Sequence, residues 1–166
     1  MITMEWKTKI TEMIGCKYPI LLGAFAGFDN KELTAAISAA GGCGVLTAAA
    51  YSTEDKFKSA LEYIKQTTPN PFAINMSAFR PIKPNHKYYK YMEIAKEGNI
   101  KAIITAGSRI EHLGKKIQEN GLSWIHKGTT MKHAVSGEKV GADAIILTGL
   151  EAVSYTHLTL PTILLV

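Results

Sequence analysis

The chain has 166 residues, 46% of them hydrophobic, and a net charge of +5. That length holds one ordinary domain with its own core. No apolar run reaches the roughly 18 residues of a membrane-spanning helix, the opening MITMEWKTKITEM lacks the apolar stretch of a secretory signal, and the lysines form no single basic stripe, so a soluble, cytoplasmic chain with no nucleic-acid and no membrane partner is expected.

Short apolar runs rich in β-branched residues alternate with amphipathic stretches along the chain. The run 19-PILLGAF predicts a first strand, and 30-NKELTAAISAAG a helix with Asn30 at its N-cap. A second strand follows at 43-CGVLTAA, where Cys43 reads as a small buried residue. Cys16 and Cys43 have neither the density of a disulfide framework nor the spacing of a metal site, and no metal is expected. The next helix, 53-TEDKFKSALEYIKQT, has Thr53 as N-cap, with Glu54 and Asp55 where the helix dipole favours negative charge.

A third strand is predicted at 71-PFAINMS. The basic, aromatic segment 80-RPIKPNHKYYKYMEIAK then reads as a proline-bearing loop entering a helix. Stacking of Tyr88, Tyr89 and Tyr91 on bases is the alternative reading, and packing against a neighbouring element is preferred. Strands at 101-KAIITAG, 122-LSWIHK and 143-DAIILTG alternate with helices at 110-IEHLGKKIQENG and 130-TMKHAVSGEKVG. Gly41, Gly98, Gly121 and Gly141 stand where helices should stop.

An interval of about 20 to 30 residues between strands is the size of a βα unit. Nearly continuous apolar strands suit a parallel sheet covered on both faces. A doubly wound sheet lacks support, because 23-GAFAGFDN is not the dinucleotide fingerprint G-x-G-x-x-G. Polar residues instead end successive strands, at Asn75, Thr105, Lys127 and Thr148. That is where a (β/α)8 barrel builds its site, and such barrels commonly need about 250 residues. The fold expected is α/β: an incomplete TIM barrel of about five and a half βα units with parallel strands.

The stretches 15-GCKYPILLGAFAG, 32-ELTAAISAAGGCGVLTA, 71-PFAINMS and 125-IHKGTTMKHAVSGEKVGADAIILTGLE together resemble the nitronate monooxygenases, formerly 2-nitropropane dioxygenases. The related flavin-dependent enoyl-ACP reductases share parts of the pattern. The resemblance runs over roughly residues 10 to 152 and implies a TIM barrel holding FMN at the C-terminal ends of its strands. It implies oxidation of an alkyl nitronate or nitroalkane, with O2 as electron acceptor; the reductases would use NAD(P)H on the same flavin.

On that resemblance, Gly23, Ala24 and Phe25 form the turn after the first strand, where backbone lies along the flavin ring. The family often has Gly and Met at the positions of Ala24 and Phe25. Asn75 offers an amide to the flavin edge, and Lys127 a cation near its phosphate or pyrimidine side. Thr105 and Gly107 end the fourth predicted strand, where the backbone approaches the ring; Thr148 and Gly149 end the sixth. His126 alternates with Lys127 and is expected to point the other way as a buried, hydrogen-bonded residue, and His133 to serve packing.

No catalytic residue is assigned. The family's basic histidine falls at Tyr155 here, with His157 two positions late. The tail 153-VSYTHLTLPTILLV-166 has no charged residue, and VSYTHLTLPT can be spelled by a DNA string that resembles a transposon-end sequencing adaptor read in one frame, the alternative being a genuine, unusual seventh segment. The expectation is therefore residues 1–152 from the N-terminal part of an FMN-binding barrel and 153–166 as a non-native tail. The chain as written is expected to hold FMN weakly or not at all while its parent is a flavoenzyme, the other possibility being an inactive half-barrel.

Overall fold

A computed structural model describes residues 6–23, 28–78, 82–83, 86–96, 98–107 and 111–148. The elements in chain order are α1 (Lys9–Ile14), α2 (Lys31–Ala39), β1 (Gly44–Thr47), a short 3₁₀ turn (Ala48–Ala50), α3 (Glu54–Thr67), β2 (Phe72–Ala78), α4 (Lys87–Ala95), β3 (Ile100–Gly107), α5 (Glu111–Glu119), β4 (Ser123–Gly128), α6 (Met131–Lys139) and β5 (Ala144–Leu147). The five strands form one sheet in the order β1-β2-β3-β4-β5, every pair parallel. Sequential order with a helix in each crossover is the βα repeat of an incomplete TIM barrel.

The first predicted strand is reduced. Within the described residues, 19-PILLG forms a single parallel bridge, Leu21 to Cys43, closed by Cys43 N–H to Ile20 O (2.8 Å) and Leu22 N–H to Cys43 O (2.9 Å). The Ile20 N–H donates to Tyr18 O, a tight turn that shortens the ladder from its N-terminal side. Helix α1 was not legible in the sequence. Thr8 and Thr11 cap each other there: the Thr8 hydroxyl accepts from Thr11 N–H (3.1 Å) while Thr11 Oγ1 accepts from Thr8 N–H (2.9 Å).

Helix α3 forms as its sequence pattern requires. Phe57, Ala60, Leu61 and Ile64 recur at helical spacing and are all buried, and the Thr53 hydroxyl accepts from Lys56 N–H. Asn30 departs from its expected role, since its side chain makes no cap bond. It reaches into β1 instead, donating to Val45 O (2.8 Å) and accepting from Thr47 N–H (3.0 Å). The neighbouring Asp29 takes the helix end, accepting from Lys31 N–H. Helices α2, α5 and α6 are followed by Gly41, Gly121 and Gly141 at positive φ, whereas Gly98 does not have that conformation.

The sheet separates two apolar layers. On the helix side, Leu46, Ile74, Met76, Ile103 and Trp124 pack against α3, α4 and α5, with Phe57 and Tyr91 stacked at 4.2 Å. On the opposite face Val45, Ala73, Ala102, Ile104 and Ile125 meet Ile14 of α1 and the two cysteines. Cys43 is the small buried residue expected; burial pushes its thiol up to about 12. Each fully buried Ile or Phe stabilises the fold by about 1.5–3 kcal/mol. In the described part of the basic, aromatic segment, Tyr88 and Tyr91 pack rather than stand exposed: both are buried, and Tyr91 donates to Tyr51 O.

Gly114 lets α5 lie directly on the Trp124 indole, and a Cβ there would sit 2.4 Å from ring atoms. Gly114→Ala gains about 1 kcal/mol of helix propensity but forces the ring or helix to move, a cost of about 1–3 kcal/mol. A lowered midpoint in thermal or urea unfolding is the expected result, and an unchanged or raised midpoint would show that the indole yields freely.

Candidate active site at the strand mouths

In a parallel sheet, paired residues turn their side chains to the same face and successive residues alternate. Thr47 pairs with Asn75, Asn75 with Ile104, and Ile104 with Ile125. One step further along, Ser77 pairs with Ala106 and Ala106 with Lys127. Ile104 and Ile125 belong to the inner layer, so Thr47, Asn75, Ser77 and Lys127 share that face at its C-terminal end. Thr148 continues the ladder just past β5, its N–H donating to Gly128 O (2.9 Å), in phase with the inner residues Ala144 and Ile146.

Asn75 is 3% exposed. Its Oδ1 accepts from the Ser77 hydroxyl (3.0 Å), which leaves both Nδ2 protons without a protein acceptor among the described residues. Lys127, two strands across and two residues further along, about 12 Å away by the usual strand spacings, is half-buried, and burial alone lowers its pKa. No carboxylate accompanies it among the described residues. A half-buried ammonium on the same face as uncommitted amide donors suits a ligand with separate anionic and acceptor groups. Gly107 ends β3 at φ 117°, a conformation that side-chain-bearing residues rarely adopt, so the backbone there is bare. Gly23 is exposed, with open space where a Cβ would stand.

Thr105 does not join this face. It pairs with Met76 and His126 on the helix side, and it is fully buried. Its Oγ1 accepts from Trp124 Nε1 (2.8 Å) and lies 3.2 Å from His126 Nδ1. The polar residue at the end of that strand satisfies an indole and an imidazole, so its side chain is structural, and only the backbone of Thr105 and Gly107 faces the mouth. His126 is buried and hydrogen-bonded, with its pKa lowered by burial. His133 is exposed on α6, its Nδ1 3.2 Å from Thr129 Oγ1, rather than packed.

Ala24, Phe25 and Gly149, together with Tyr155 and His157, lie outside the described residues. Two residues that the sequence reading missed stand out. Ser77 follows Asn75 by the strand period of two and should have been placed beside it. Asn30 holds β1 near its end from a helix start, and no local pattern announces that. A cavity of about 340 Å³ bounded by Cys16, Lys17, Gly41 and Asn70 lies at the opposite, N-terminal ends of the strands. It holds none of the strand-mouth residues, and Asn70 already donates to Ser38 O there.

Lys127 carries a stability cost with a definite sign. Its folded-state pKa is lowered, so the unfolded chain binds the proton more tightly. The penalty is full below the folded-state value and fades as pH rises from there to the ordinary lysine value of 10.5. Lys127→Met should therefore raise the melting temperature at pH 7, with the gap to the parent narrowing in melts carried towards pH 10. A gap that is constant or widens with pH would contradict this.

The sequence family model described as nitronate monooxygenase matches residues 7–156. A probable nitronate monooxygenase of Staphylococcus aureus (strain MSSA476) is 27% identical, over 88% of this chain and 50% of that protein. Its counterpart in Staphylococcus saprophyticus is 24% identical over 90% of this chain and 50% of its own length. Among solved structures, FabK from Thermotoga maritima superposes with a TM-score of 0.74 at 25% identity, covering 88% of this chain and 45% of FabK. Nitroalkane oxidase from Streptomyces ansochromogenes shares the fold, with a TM-score of 0.69 at 21% identity, over 87% of this chain and 49% of its own. The chain spans about half the length of the relatives it matches. With the family model matched from residue 7 through the whole strand-mouth region just described, the chain belongs to the nitronate monooxygenase family.

Proposed function

We propose that this chain supplies the first strand mouths of an FMN site in an oxidoreductase that oxidises alkyl nitronates with O2. The observation that carries the reading is Lys127: a half-buried cation with no protein counter-ion among the described residues, on the inner face with the uncommitted Nδ2 donors of Asn75. Bound FMN would supply the electron transfer that no side chain provides. Lys127 would hold an anionic part of the cofactor, and Asn75 would donate to a ring acceptor. The backbone at Gly107 admits close approach of a flat group, and Thr148 offers a hydroxyl on the same face. These residues bind and orient; none is positioned as the base that takes a proton from a neutral nitroalkane.

The likeness to FabK favours a second reading, a flavin-dependent enoyl-ACP reductase using the same residues to hold FMN. Both readings are tested on the product of the complete gene. It should purify yellow, release nitrite from propionate 3-nitronate, and consume O2 in step. Lys127→Met should lower FMN occupancy about tenfold or more, the scale of losing a charge-assisted contact of about 1.5–3 kcal/mol. NAD(P)H oxidation with an enoyl thioester and no nitrite would favour the reductase, and a colourless protein that FMN does not reconstitute would end both readings.

A further inference from the structure

Ser77 is half-buried and bonded from two sides. Its hydroxyl donates to Asn75 Oδ1 (3.0 Å), and its carbonyl accepts from the hydroxyl of Tyr88 (3.0 Å), a residue of α4 that is 3% exposed. Helix α4 is also tied to the residue that follows the 3₁₀ turn after β1: Lys87 Nζ (2.6 Å) and the Tyr91 hydroxyl (2.9 Å) both donate to Tyr51 O. The backbone that carries Ser77 is thus fixed against the helix layer, and its side chain on the inner face has Asn75 as its partner.

An asparagine amide has an acceptor end and a donor end, and nothing in the residue itself decides which end faces a ligand. A hydroxyl can donate or accept, so the orientation is read from the placement of the amide itself: Oδ1 is the end turned to the Ser77 hydroxyl, which donates to it. We infer that Ser77 is a positioning residue: it holds the Asn75 side chain with Oδ1 turned along the strand and the two Nδ2 protons turned to the mouth. The ligand atom selected is then a hydrogen-bond acceptor. A ligand presenting a donor at that point meets two more donors and is rejected, because a buried donor without an acceptor costs about 1–3 kcal/mol. This deepens the FMN reading and rests on it for the identity of the ligand; the orientation of Asn75 does not.

The test uses the product of the complete gene, freed of bound FMN and selectively ¹⁵N-labelled at asparagine, with FMN as the probe. Side-chain NH2 signals are followed in the parent, in Ser77→Ala and in Ser77→Thr, first without FMN and then across an FMN titration. Asn30, whose amide is buried and bonded to Val45 and Thr47, reports in the same spectra that each variant is folded. Without FMN, Ser77→Ala should shift and broaden the Asn75 pair as the amide becomes free to turn over, and Ser77→Thr should restore it. On titration, the Asn75 protons of the parent should move, with an apparent affinity roughly two- to tenfold weaker in Ser77→Ala. Asn75 signals identical in the parent and Ser77→Ala overturn the inference whatever FMN does. So does an FMN affinity unchanged by Ser77→Ala. FMN that leaves the parent's Asn75 protons unmoved, while Ser77→Ala still perturbs them, overturns the FMN reading and leaves the positioning role supported.

Discussion

The structure depends on one geometric constraint, the alternation of side chains across a parallel ladder held in continuous register. Because β1 to β5 pair in sequence order, each inner residue has inner neighbours on either side, and a row of side chains runs across the sheet. Lower rows are apolar and close onto α1. The upper rows change to Thr47, Asn75, Ser77 and Lys127 without a change of backbone geometry. A slip of one residue in any strand would exchange this polar rim for the residues that pack under the helices. The register is therefore what builds the site, and the helix layer is what holds the register.

Three contacts show how that layer acts on the mouth. Asn30, at the start of α2, bonds both the carbonyl of Val45 and the amide of Thr47, so the end of β1 is set by a helix cap position. Helix α4 reaches Tyr51 O and Ser77 O, which ties the loop after β1 and the end of β2 to one helix. On β3 and β4, Thr105 links Trp124 and His126 beneath α5 and α6. Such bonds fall in well-packed surroundings, where a polar group that loses its partner costs more than the bond itself contributes. The consequence is a rim whose backbone is hydrogen-bonded to the helix layer while Lys127 and the Asn75 donors have no protein partner among the described residues. Lys127 bears a desolvation cost that a ligand's negative charge would offset, a common arrangement where binding outranks stability.

The far side of β5 contrasts with this order. Its residues are half-buried or exposed along the strand, and Leu147, Met131 and Val135 present apolar surface around it. Central strands such as β3 are sealed on both faces. An edge of that composition has unpaired backbone groups among the described residues and favours association. The relatives, about twice as long as the matched region, have further chain available to them.

Much was legible from the residues alone. The apolar runs spaced at βα intervals determined the parallel strands, the helical periodicity of Phe57, Ala60, Leu61 and Ile64 determined α3, and alternation alone sent His126 and Lys127 to opposite faces. Those are short-range properties, dictated by covalent geometry and by the period of burial. What the tertiary structure decided was which polar residue belongs to the mouth. Thr105 and Asn75 look alike as polar residues near the end of apolar strands, yet Thr105 serves an indole on the helix side and Asn75 opens inward. The same holds for Asn30, which is a helix cap by sequence and a strand clamp in space, and for the 19-PILLG run, whose strand character a turn at Tyr18 cuts to one bridge. In each case the partner lies many residues away, and a hydrogen bond to a distant group leaves no period in the local sequence to be read.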